Sequence, residues 1–104
     1  MIIPILMLTA ATHRVSDSPS VAQGRAVYAN NCSSCHNENN PYKAGPVGPA
    51  IGGSSEELVE ARVVRAEYPK GYKPKRDTHM MFPMPWLKDD VHALKEFLNL
   101  KEEK

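Results

Sequence analysis

Two cysteines stand three residues apart and a histidine follows at once: Cys32-Ser33-Ser34-Cys35-His36. They are the only cysteines in the chain. On a helical turn, positions i, i+3 and i+4 share one face. The spacing therefore brings two thiols and an imidazole to one side of the backbone, and any fold must build outward from that cluster. Several chemistries use part of such a set. A dithiol redox pair wants a preceding strand in a βαβ setting, and here a helical pattern precedes it. A structural zinc site wants four ligands, and the fourth would have to come from His13, His79 or His92, none of which is paired in spacing. A simple disulfide leaves His36 without a role.

The pattern that uses all three residues is covalent attachment of a c-type haem. Each thiol adds to one vinyl group of the porphyrin, and His36 ligates the iron through Nε2. Composition agrees. The chain has 104 residues, nine prolines and six glycines, with seven aromatic residues in all. A domain of that size buries a modest share of its surface and often depends on a staple or a filler. A haem would supply the missing apolar bulk. Thirteen Lys and Arg balance twelve Asp and Glu, net +1. That disfavours nucleic acid as the partner, since nucleic-acid-binding domains are strongly basic.

The rest of the chain reads as short helices and long loops. Met1 to Ala11 is an apolar run of signal-peptide length, shorter than the ~20 residues a membrane span needs. No Lys or Arg precedes it. Thr12 to Ser20 reads as a polar linker, so the chain divides into residues 1–19 and a domain over 20–104. Ser20 is expected to cap a first helix running to about Ala29, with Val21, Gly24, Val27 and Tyr28 on one face. Asn37 to Gly53 is rich in Asn, Pro and Gly and reads as loop. Ser54 or Ser55 caps a second helix, Ser54 and Glu57 matching a capping box, and Pro69 and Gly71 end it. Tyr68 to Pro85 is a second loop with four prolines and Met80, Met81 and Met84. Leu87 to Leu100 reads as a last helix with Val91, Leu94, Phe97 and Leu98 as its apolar stripe. The expectation is an all-α fold of three or four short helices.

From Gly24-Arg25-Ala26-Val27-Tyr28 through Asn31-Cys32 and the Cys-x-x-Cys-His cluster, the chain resembles the monohaem class I c-type cytochromes of the bacterial cytochrome c family. The resemblance covers about residues 20–100. It implies the class I cytochrome c fold, with helices wrapped on one haem, and single-electron transfer outside the cytoplasm, in the periplasm or an equivalent compartment. It implies that Gly24 lets the first and last helices cross closely, with Phe97 at the crossing. A mid-helix glycine otherwise costs ~1 kcal/mol. It implies a distal methionine, which raises the potential. Met81 and Met80 stand at the family's distance before Phe97, and Met84 falls short of it. Met81, in Met81-Phe82-Pro83, is the first choice, with Met84 and Met80 as alternatives and His79 as a different kind of ligand. Gly48-Pro49-Ala50-Ile51 looks like the family's segment whose proline carbonyl holds the second nitrogen of the ligand histidine, which makes Pro49 the expected partner of His36.

Arg62 to Arg76 holds six cations against Glu67 alone. Beside a haem crevice, that segment would steer an acidic redox partner or hold the haem propionates. Tyr68, Tyr72 and Trp86 are expected to pack on the cofactor or bond to it. The function expected is that of a periplasmic electron carrier and not an enzyme. The alternative is a haem-bearing, electron-accepting subunit of an oxidoreductase complex.

Overall fold

A computed structural model describes residues 17–76 and 80–101. The apolar run Met1–Ala11, His13, His79 and the last three residues lie outside them. Among the described residues there are three α-helices: α1 (Pro19–Asn31), α2 (Glu56–Arg65) and α3 (Val91–Leu98), the last preceded by a 3-10 turn over Pro85–Asp90. There is no strand among the described residues. The all-α architecture matches the sequence expectation, with differences at the helix ends.

The start of α1 lies inside the expected linker. Ser18, and not Ser20, is its cap: the Ser18 hydroxyl accepts from Val21 N at 3.1 Å. Pro19 then occupies the first helical turn, where its missing N–H costs nothing. On α2, Ser55 caps by accepting from Leu58 N at 3.1 Å. Ser54 instead donates to Ile51 O at 2.6 Å. Glu56 and Glu57 sit at the positive end of α2 and Arg62 and Arg65 at its negative end. The helix stops earlier than Pro69 or Gly71. Ala66 takes the left-handed conformation at φ 57° and its N–H returns to Ala61 and Arg62 carbonyls. The last helix begins as a 3-10 turn because Pro85 opens it, and becomes α-helical only at Val91.

The central contact is the crossing of α1 on α3. A Cβ placed on Gly24 would lie 2.0 Å from the Ala93 carbonyl oxygen and 2.9 Å from Phe97 Cβ. Only a residue without a side chain permits this approach. The Tyr28 and Phe97 rings meet beside it with centroids 5.3 Å apart, and Arg25 lies over the Phe97 ring at 5.0 Å. Val91, Leu94, Phe97 and Leu98 are all buried, as the stripe predicts. The loop over 37–54 is tied to the far end of α3. Gly53 N donates to Leu98 O at 2.8 Å, and Tyr42 hydroxyl donates to Leu100 O at 2.8 Å.

The crossing gives a direct test. Gly24→Ala should destabilise the protein by about 1–3 kcal/mol, the usual cost of overpacking. Chemical denaturation of the haem-loaded protein measures it. Unchanged stability would mean that the helices separate freely at this point.

Candidate functional site

The end of α1 delivers the cysteines. Cys32 follows the last helical residue, and the chain turns with Cys35 N and His36 N both donating to Cys32 O, at 3.2 and 3.0 Å. This turn brings Cys32, Cys35 and His36 to the wall of one cavity of about 220 Å³. Cys32 is buried and Cys35 exposed, both as free thiols. Burial, with a smaller contribution from Cys35, pushes the Cys32 thiol up to about 11. Cys32 is therefore a neutral, apolar group at neutral pH.

His36 is held on its far side. Its Nδ1 lies 2.8 Å from the Pro49 carbonyl oxygen. A carbonyl only accepts, so Nδ1 carries the proton and Nε2 keeps a lone pair. Burial lowers the His36 pKa most. The Pro49 bond acts in the opposite sense, and the charges of Arg76 and Arg62 add to the lowering. The ring is thus a neutral imidazole with a defined tautomer, the form that ligates a metal. Gly48 lies flat against it: a Cβ there would meet His36 Cε1 at 2.5 Å and Nδ1 at 2.6 Å. Val47 N and Gly48 N donate to Cys35 O at 3.1 and 2.7 Å, which sets the segment in place.

One partner of this turn has no signal in the local pattern. The Tyr28 hydroxyl donates to Asn37 O at 2.5 Å and accepts from Asn37 N at 3.1 Å. It grips the residue immediately after His36 from inside the α1–α3 core. A tyrosine where phenylalanine would pack equally well was the available hint.

The loop before α3 brings its methionines to the same cavity, where Met80, Met81 and Met84 all contribute to the lining. They differ in setting. Met84 is a buried core residue, and its N–H donates to Val63 O at 2.7 Å. Met80 is 70% exposed, and Met81 is partly buried against the core. Tyr68 and Tyr72 also line the cavity, stacked at 5.4 Å, and Arg62 lies over Tyr68 at 4.1 Å. Trp86 departs from expectation. It is 65% exposed and outside the lining, because Leu87 takes the inward position of the 3-10 turn. His92 is a surface residue with Nδ1 2.9 Å from Glu56 Oε1.

The basic segment divides. Arg65 pairs with Glu60 and Glu67. Arg76 donates to Val47 O at 2.7 Å and to Gly45 O at 3.4 Å. Lys75 donates to Ala50 O at 2.9 Å. Lys70 and Lys73 are exposed.

These residues fit a c-type haem. Two thiols and an imidazole with a free Nε2 share one wall. Val59, Val63, Leu94 and Leu98 supply apolar surface, and the loop methionines supply soft thioether donors. No group of three or more His, Cys, Asp or Glu side chains among the described residues could hold a bare metal ion.

The family model for cytochrome c matches residues 21–100. Among solved structures the chain is similar to a c-type cytochrome NirC, with 26% identity over 80% of this chain and 92% of that one, at a TM-score of 0.49. No curated protein sequence matches it.

Tyr28→Phe keeps the ring and removes both bonds to Asn37. The expected loss is about 1–2 kcal/mol, read as a lower urea midpoint at unchanged m-value. An unmoved midpoint would mean the hydroxyl does not hold the turn.

Proposed function

The chain belongs to the cytochrome c family, and on that premise we infer that it is an exported single-electron carrier with His36 and Met81 as axial ligands. The family identity brings a covalently attached haem c, haem-mediated electron transfer and redox proteins as partners. The more specific assignments are our reading of its own residues. Cys32 and Cys35 carry the thioethers. His36 ligates through Nε2 while the Pro49 carbonyl holds Nδ1. Tyr72, with Tyr68, packs beside the cofactor. When bound, the haem supplies one iron that accepts and returns one electron.

The observation that carries this reading is the His36–Pro49 bond of 2.8 Å on the wall of a cavity that the loop methionines also line. A ring already held in one tautomer and one orientation moves little when the iron changes charge. Met81 is favoured by its neighbours. Met84 is committed to the core by burial and by its backbone bond to Val63, and Met80 is mostly exposed. Met84 and Met80 remain the alternatives.

Export follows from the same chemistry. Haem attachment of this kind takes place outside the cytoplasm, and Cys32 and Cys35 have the spacing that receives it. The apolar Met1–Ala11 run suits a signal leading to the periplasm. Among the described residues no helix is long and apolar enough to cross a membrane. Lys70 and Lys73 make no ion pair among the described residues, and they are the groups of the 62–76 segment placed to attract an acidic partner.

A second reading, a haem-bearing subunit that accepts electrons inside an oxidoreductase complex, is favoured by one observation. Trp86 is 65% exposed and, unlike Met80 and Phe82, lies outside the cavity lining. Exposed indole rings are enriched at protein contacts. Co-elution with a larger enzyme in a native extract would carry this reading.

Met81→Ala should abolish the methionine-ligation band at the red end of the ferric spectrum, while Met84→Ala retains it at reduced stability. The reverse result would move the ligand to Met84.

A further inference from the structure

The loop that leads into the methionines is bonded to the loop that holds His36. Arg76 is half-buried and donates to two main-chain oxygens, Val47 O at 2.7 Å and Gly45 O at 3.4 Å. Lys75 donates to Ala50 O at 2.9 Å. The three carbonyls lie on either side of Pro49 in sequence, and Pro49 is the residue whose own carbonyl meets His36 Nδ1. The same segment is fixed from its other side by Val47 N and Gly48 N on Cys35 O. Among the described residues the acceptors of the Arg76 guanidinium are these neutral main-chain oxygens. Hydrogen bonds with a charged donor are roughly twice as strong as neutral ones. The planar fork of a guanidinium also reaches two acceptors at once.

Arg76 stands four residues before Met80. All of Arg76, Lys75, Val47, Pro49, Ala50 and Met81 line the one cavity. The two loops are far apart in the chain, and these bonds connect them directly across an edge of the site.

We propose that Arg76, seconded by Lys75, is a latch that holds the distal-ligand loop to the segment positioning the proximal histidine. Arg76 is a positioning residue: it acts through the 45–50 carbonyls, and it belongs to the same loop as the methionines and lines the same cavity. Its consequence is that the distal methionine stays bound in competition with small external ligands. The latch rests on the reading above that a methionine of this loop is the distal ligand.

The test is a titration of the oxidised, haem-loaded full chain with imidazole, followed by absorbance. Imidazole binds the fraction of molecules in which the methionine has left, so its apparent affinity reports that fraction. Arg76→Met should raise the apparent affinity about tenfold, with the far-UV circular dichroism unchanged at the titration temperature. Arg76→Lys keeps the charge and gives up the two-carbonyl fork, and it too should rise. If Arg76→Met titrates as the wild type does, the latch is overturned. It is also overturned if Arg76→Lys behaves as wild type while Arg76→Met does not, because charge alone then suffices. Should Arg76→Met fail to load haem, the Arg76→Lys titration still decides. A wild-type ferric spectrum without the methionine band would overturn the ligand reading and the latch with it. A normal wild-type spectrum with unmoved variants overturns the latch alone.

Discussion

Cys32, Val59, Val63, Leu94 and Leu98 each serve two surfaces. They pack the helices against one another, and they form a wall of the cavity. No polar or charged residue is buried among those described, so the core is purely apolar and thin. Apolar burial is the main favourable term in folding and scales with the area removed from water. A flat apolar cofactor against this wall removes from water a face that the helices cannot cover for one another. The α1–α3 crossing at Gly24 is different, since it closes protein on protein. The fold thus has one contact made between protein surfaces alone and one face completed by haem.

The polar parts of the site follow the same division. Tyr28 reaches out of the protein-on-protein core to grip Asn37, so the crossing positions the residue after His36. From the other side, the Pro49 carbonyl fixes the ring, with Gly48 flat against it. Arg76 and Lys75 then join this segment to the methionine loop. A carrier whose ligands are held by several independent bonds reorganises little on gaining or losing an electron. In a small chain those bonds must come from loops, because so few residues are helical.

Much of this was legible because its signals are local. The Cys-x-x-Cys-His spacing defines a turn by itself. The Val91, Leu94, Phe97 and Leu98 stripe has helical period, and a glycine in the middle of α1 implies a close approach. The errors lie where two residues offer the same chemistry. Ser18 and Ser20 flank Pro19, and Ser54 adjoins Ser55; either of each pair suits a cap, and the geometry of the entering chain decides. Trp86 was expected at the cofactor on residue type alone, but in the 3-10 turn that Pro85 opens Leu87 takes the inward place. Arg76 and Tyr28 act on main-chain atoms 29 and nine residues away. Main-chain acceptors are everywhere in a sequence, so no pattern marks which one is used.

The central claim is that haem completes the core of residues 20–100, and it is tested most directly by far-UV circular dichroism of the chain prepared without haem. The account predicts that most of the helical signal of the haem-loaded protein is lost and that no cooperative thermal transition remains. A haem-free chain with native helix content and a cooperative melt would contradict it.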